Sequence, residues 1–138
     1  MMTKLVRFGV SLEKELLNKF DIDIKKKNYP TRSKAISDLI RESLVKNEWI
    51  KGKEVAGVIT LVYNHNKREL VNKLTDVQHH YHHIIISSQH IHLDHDNCLE
   101  IVIVKGKSRD VEQLAYKLKS TKGVKHGSLT ATTTGKEI

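Results

Sequence analysis

Residues 82–105 run His82-His83-Ile84-Ile85-Ile86-Ser87-Ser88-Gln89-His90-Ile91-His92-Leu93-Asp94-His95-Asp96-Asn97-Cys98-Leu99-Glu100-Ile101-Val102-Ile103-Val104-Lys105. Apolar, largely β-branched residues flank Leu93-Asp94-His95-Asp96-Asn97, a polar turn, so the pattern predicts strands over His82 to His92 and Leu99 to Lys105. Working outward, Lys67 to Gln78 sets Leu70, Val71, Leu74 and Val77 at helical spacing, and Asp110 to Ser120 does the same with Val111, Leu114, Ala115 and Leu118. Val55 to Tyr63 and Val124 to Thr132 are strand-like segments outside these helices. Strand, helix, strand, strand, helix, strand is the order of a ferredoxin-like split βαβ unit. The expected fold class is α+β.

The first 50 residues read differently. Leu5-Val6-Arg7-Phe8-Gly9-Val10-Ser11-Leu12 alternates, with Phe8, Val10 and Leu12 on one face and Arg7, Gly9 and Ser11 on the other, the period of a strand. Ser11 is the expected N-cap of a first helix, with Glu13 and Glu15 in its first turn and Leu12, Leu16, Leu17 and Phe20 as its apolar stripe. Lys25-Lys26-Lys27-Asn28-Tyr29-Pro30 reads as a loop, and Thr31 as the N-cap of a second helix carrying Ala35, Ile36, Leu39, Ile40, Ser43 and Leu44 on one face. One strand cannot satisfy its own backbone groups, and a strand and two helices bury too little to stand alone. A dimer in which two copies of the strand pair as an antiparallel ribbon resolves both problems. That is a ribbon-helix-helix unit, and a two-stranded ribbon fits the major groove of DNA, here presenting Arg7, Gly9 and Ser11. Asn47-Glu48-Trp49-Ile50-Lys51-Gly52-Lys53 reads as a joint. The domains expected are 1–50 and 51–138.

A chain of 138 residues with 24 basic and 16 acidic side chains carries a net charge of +8, a balance that suits a polyanion. A single cysteine permits no internal disulfide and fits a reducing cytoplasm. Neither a signal peptide nor an apolar run of the roughly 20 residues needed to span a bilayer is read, so no membrane partner is expected.

Between Gln78 and Cys98 lie seven of the nine histidines and the only cysteine. Imidazole and thiolate are ligands for borderline and soft transition metals. His90 and His92 share a strand face, and Cys98 across the turn can stand beside them, offering two nitrogens and a sulfur to zinc, copper or nickel. A fourth nitrogen in plane brings nickel(II) forward. His79 is the best such donor, but about 11 residues of extended chain put it roughly 30–35 Å from His90, so it is expected from another subunit. The blander readings are a solvated histidine face, a small buried cysteine, or loose metal buffering.

Both halves resemble one family, the nickel-responsive transcriptional regulators of the NikR type. The likeness is carried by Thr31-Arg32-Ser33-Lys34-Ala35-Ile36-Ser37-Asp38, by Gln78-His79-His80-Tyr81-His82-His83, by the segment His90 to Glu100, and by Gly123-Val124-Lys125-His126-Gly127. The resemblance implies an N-terminal ribbon-helix-helix domain and a C-terminal ACT-like domain that forms a tetramer core. It implies one Ni(2+) per subunit in a square-planar site of His90, His92 and Cys98, with His79 donated in trans. Gln78 and Glu100 become candidates to orient the imidazoles. Lys67 and Arg68, before the third helix, resemble residues that touch the DNA backbone, contacts that position rather than read sequence.

Three departures stand out. Gly9 offers no side chain where some relatives carry a hydroxyl, and Tyr81 interrupts a histidine run. Lys34 stands where some relatives have a carboxylate that helps the equivalent of Asp38 hold a second cation between the domains; its ammonium is expected to replace that cation and pair with Asp38.

The function expected is therefore that of a cytoplasmic, nickel-dependent repressor, a homotetramer binding a double-stranded DNA operator, with no small-molecule substrate and no enzymatic activity. The rival readings are a metal chaperone or store, a metal-assisted hydrolase, and an amino-acid sensor built on the ACT-like domain.

Overall fold

The computed structural model describes residues 3–138. By packing, the chain divides into two compact units, Met1–Arg41 and Glu42–Ile138.

In the first unit, residues 3–13 form neither helix nor strand. The strand expected over Leu5 to Leu12 is not formed within one chain: among the described residues of the unit there is no second strand to pair with it, and Leu5 and Phe8 are 93% and 69% exposed. Helix α1 spans Lys14–Lys26. It starts later than expected because the backbone stays extended through Glu13 (φ −59°, ψ 137°), leaving Ser11 too early to cap the first turn. Leu12 consequently precedes the helix. α1 also runs further, into the expected loop, and ends where Asn28 turns left-handed (φ 62°). There the Tyr29 N–H donates to the Ile24 carbonyl, satisfying an orphan acceptor of the last turn.

Helix α2 spans Arg32–Ile50 and is capped as expected, the Thr31 hydroxyl accepting from the Lys34 N–H at 3.1 Å. Arg32 grips the Asp21 carboxylate through two hydrogen bonds of 2.8 and 2.7 Å. Among the described residues of this unit, Ile24 and Ala35 are the buried apolar ones; Val10, Leu16, Ile22, Leu39 and Ile40 stay exposed.

The division between units falls inside α2, and the helix runs through most of the expected joint. Its last turn is tied down on three sides. The Trp49 indole N–H donates to the Thr132 carbonyl at 2.8 Å, the Ser108 hydroxyl donates to the Trp49 carbonyl at 2.8 Å, and the Thr133 hydroxyl donates to Glu48 at 2.8 Å. The turn itself shrinks to Lys51-Gly52-Lys53, with Gly52 at φ 72°.

The second unit has the expected order: β1 (Glu54–Asn64), α3 (Arg68–His80), β2 (Ile85–His92), β3 (Asn97–Lys107), α4 (Ser108–Lys119) and β4 (Val124–Ala131). The four strands form one antiparallel sheet in the order β2-β3-β1-β4. This is the ferredoxin-like arrangement, and it fits an ACT-like domain. β1 is central and alternates strictly, turning Val55, Ile59, Leu61 and Tyr63 toward the helices. Val102 and Val104 of β3 join them, and α3 and α4 cover this face with Leu70, Leu74, Val111, Leu114, Ala115 and Leu118. The opposite face carries Val58 beside a 39% exposed Ile103, and Leu99 beside a 38% exposed Ile91.

The segment His82–Ile84, expected as strand, is a 3-10 turn, because the chain must reverse from α3 before it can pair with β3. Ile84 is driven into the core against Gly106, where an added Cβ would meet the Ile84 side chain at 2.6 Å. Gly106→Ala is therefore expected to lower stability by about 1–3 kcal/mol, read as a reduced urea midpoint with unchanged slope.

Candidate metal centre

Antiparallel pairing sets the site. His90 lies opposite Glu100, His92 opposite Cys98, and Cys98 in turn opposite Tyr63 of β1, so these five residues share the helix-covered face at one end of the sheet. The polar turn holds the hairpin in register: the Asp94 carboxylate accepts from the backbone N–H groups of Asp96 and Asn97 at 2.9 and 2.8 Å. Those hydrogen bonds hold the Asp94 carboxyl below its usual range.

His90 Nε2 lies 3.3 Å from Cys98 Sγ. Bond lengths near 2.0–2.1 Å for nitrogen and 2.3 Å for sulfur put neighbouring ligand atoms about 3.1–3.6 Å apart, depending on the angle at the metal. The pair therefore has the chemistry and spacing of two donors to one ion. Among the described residues, no three histidine, cysteine or carboxylate side chains of one chain converge on a metal-sized point. His92 is in register beside Cys98, but its ring stacks on His65, with centroids 4.1 Å apart and planes 2° from parallel. His79 lies in the last turn of α3, its ring 6.0 Å from that of His82.

The hydrogen-bond partners of the pair are well defined. Tyr63, 1% exposed, donates its hydroxyl to Glu100 Oε1 at 2.5 Å and lies 2.7 Å from His90 Nε2. The other Glu100 oxygen accepts from Gln78 Nε2 at 2.6 Å. Burial pushes the Tyr63 phenol well above its ordinary value, and the Glu100 hydrogen bond adds to this. Burial also pushes the Cys98 thiol up, with the Glu100 charge acting the same way against an opposing hydrogen bond from Tyr63.

Two expectations change here. The 30–35 Å reach estimate treated the chain as extended, but the reversal at His82–Ile84 folds α3 back over the sheet. Gln78, immediately before His79, is thereby joined to His90 through one carboxylate and one phenol. A donor role for His79 in trans accordingly rests on the resemblance and not on distance along the chain. The second change is an omission: Tyr63 and His65 were not singled out. Their signal was a period-two pair at the end of β1, matching the spacing of His90 and His92, each member supporting one of those imidazoles.

A model of the NikR C-terminal nickel-binding domain matches residues 56–132. The chain belongs to the NikR family. A relative in Syntrophus aciditrophicus named as a nickel-responsive regulator is 55% identical, over 97% of this chain and 98% of its own. Relatives of the same name in Thermococcus kodakarensis and Pyrococcus furiosus are 54% and 53% identical, over 98% and 97% of this chain and 99% and 98% of theirs. An uncharacterized protein of Thermotoga maritima shares the fold alone, with a TM-score of 0.52 at 12% identity over 57% of this chain and 98% of that one. The family match covers β1 through β4 and so contains the whole cluster just described.

The remaining expected residues lie apart from it. Arg7, Gly9 and Ser11 are in the exposed segment 3–13, and Lys67 and Arg68 are exposed at the N-terminus of α3. Lys34 pairs with Asp38 as expected, Nζ to Oδ1 at 2.6 Å, and the Tyr29 hydroxyl donates to Oδ2 at 3.0 Å. These partners hold the Asp38 carboxyl below its usual range, the Lys34 contact contributing most. Among the described residues, no helix is long and apolar enough to cross a membrane.

The buried thiol gives a signed pH dependence. A free thiol titrates near 8.5. Above that pH the unfolded chain ionises while the folded Cys98 stays neutral, so folding is progressively disfavoured as pH rises. Urea unfolding of the metal-free chain should show falling stability from about pH 8.5 to 10, with a shallower slope in Cys98→Ser. Equal slopes would contradict a buried neutral thiol.

Proposed function

We propose that the chain is a nickel-dependent DNA-binding repressor whose operator binding is controlled at sites shared between subunits. The His90–Cys98 donor pair carries this reading, since it lies within the matched nickel-binding domain and is hydrogen-bonded, through Tyr63 and Glu100, to the end of α3. His90, His92 and Cys98 of one subunit, with His79 of another, would hold one Ni(2+) per chain. Bound there, the ion would supply a positive charge and a preference for imidazole and thiolate donors.

The chain's own residues do the rest. To face one ion, Cys98 would have to release its proton to solvent and His92 to turn off the His65 ring, while Gln78 would tie the cluster to the helix that carries His79. Ordering this end of α3 biases the chain toward a DNA-competent state, and metal and operator affinities are then reciprocally coupled. The reading assigns residues 1–50 to DNA binding and 51–138 to metal binding and assembly. A ribbon made from two copies of residues 5–12 would present Arg7, Gly9 and Ser11 to the bases, and Lys67 and Arg68 would touch phosphates.

The exposed apolar residues of α1 and α2 support pairing of the N-terminal units, and the half-exposed isoleucines of the open sheet face support a homotetramer. The protein works in the cytoplasm and is not an enzyme. A store or chaperone would need no ribbon, and a hydrolase would need an open metal position. The Lys34–Asp38 pair stands in for a second cation. A crystal structure with an ordered ion on Asp38 would remove that part of the reading.

Nickel titration of the wild-type chain should produce a thiolate-to-nickel charge-transfer band at one ion per subunit, absent in Cys98→Ala. His90→Ala should likewise lose tight binding and keep the fold. Arg7→Ala should bind nickel normally and lose the operator, while wild-type operator binding should weaken steeply with added salt. Normal operator binding by Arg7→Ala would refute the ribbon assignment, and loose uptake of several ions per chain would favour a store.

A further inference from the structure

Helix α2 belongs to both units, since the division after Arg41 falls inside it. Whatever holds its last turn therefore decides how α2 leaves the C-terminal unit. Locally, that turn closes in a Schellman arrangement. Gly52, left-handed at φ 72°, donates its N–H to the Trp49 carbonyl at 3.3 Å, and the Lys53 N–H donates to the Glu48 carbonyl at 3.0 Å. These bonds terminate the helix without distant help, yet Glu48 and Trp49 are also gripped from far away in sequence.

The grip comes from the segment after β4. The Thr132 N–H donates to the Ala56 carbonyl at 3.0 Å, carrying the β4 pairing one residue further along β1. From that fixed point the Thr132 carbonyl accepts the Trp49 indole N–H, and the Thr133 hydroxyl donates to Glu48 Oε1, both at 2.8 Å. The Gly135 N–H donates back to the Thr133 hydroxyl at 3.1 Å, through a turn that Gly135 makes at φ 82°. Glu48 is 7% exposed, so its carboxylate is costly to leave without a donor. Among the described residues, the buried core of this unit includes none of 132–138. The segment thus acts on α2 rather than on closure of the core.

With Ser108 holding the Trp49 carbonyl, the base of α2 is joined to the start of β1, the start of α4 and the end of β4. The His90–Cys98 pair lies toward the other end of β1, where Cys98 faces Tyr63. The packed sheet and helices connect the two ends, the kind of contiguous network that carries coupling. We propose that residues 132–135 form a strap that makes the last turn of α2 part of the metal-binding unit, with Trp49 and Thr133 as positioning residues that pass metal occupancy on to α2. The proposal rests on the reading of the chain as a nickel-dependent repressor. A strapped base moves with the sheet, whereas a loose one lets α2 swing independently of the ion.

The test uses the full-length chain and a DNA duplex selected from a random-sequence pool by the nickel-loaded wild type. Affinity for that duplex is measured with and without nickel for wild type, Trp49→Phe, Thr133→Val and Thr133→Ser, alongside nickel titration of each. Trp49→Phe loses the indole N–H, and Thr133→Val loses the hydroxyl that Thr133→Ser keeps. Trp49→Phe and Thr133→Val should load nickel as the wild type does and exchange the amides of residues 46–50 faster. Their nickel-dependent gain in DNA affinity should fall about 5-fold or more, and Thr133→Ser should retain the wild-type gain. A lowered urea midpoint with the gain unchanged is the mark of a merely structural strap and overturns the proposal. Loss of nickel loading in both variants overturns it as well. A wild type that selects no duplex, or whose DNA affinity ignores nickel, overturns the repressor reading and the strap's role with it, a failure visible before any variant is made.

Discussion

Glu100 is a carboxylate buried inside a small α+β sheet domain, and a buried charge is tolerated only when both oxygens are hydrogen-bonded. Here one oxygen takes a phenol from the central strand and the other an amide from α3. Satisfying that single group therefore joins three elements: β3, β1 and the helix end. The donor pair His90–Cys98 sits beside this junction, so its geometry depends on the same hydrogen bonds. Removing the carboxylate would release the phenol, the imidazole and the helix terminus together, which couples the cluster to the chain around it.

The two units solve the problem of burial in different ways. The C-terminal unit closes its own core, with the helix-covered face of β1 and β3 packed under α3 and α4. The N-terminal unit does not: its apolar stripe and the alternating segment 5–12 remain in solvent. A sequence so patterned, kept exposed in one chain, calls for a protein partner rather than a larger core.

Local chemistry explains where elements start and stop. Thr31 caps α2 because a hydroxyl at that spacing reaches the Lys34 amide, whereas Ser11 does not cap α1 because the chain stays extended two residues longer. α2 overruns a stretch that reads as a joint because its last turn gains partners from α4 and from the segment after β4, far away in sequence. Propensity in a polar stretch is a weak force beside three such tertiary hydrogen bonds.

Periodicity and spacing alone gave the order of strands and helices after Lys53, the inward faces of α3 and α4, and the shared strand face of His90 and His92. These follow from interactions a few residues apart, or from alternation that leaves no second choice of face. What only the folded chain decided is which groups reach across strands: Tyr63 over Cys98 to His90, His65 onto His92, and Gln78 back to Glu100. Such contacts depend on the strand order β2-β3-β1 and on the reversal at His82–Ile84, and neither is encoded in any local pattern. A distance along an extended chain misled for the same reason, since a fold brings residues together by the path it takes through space.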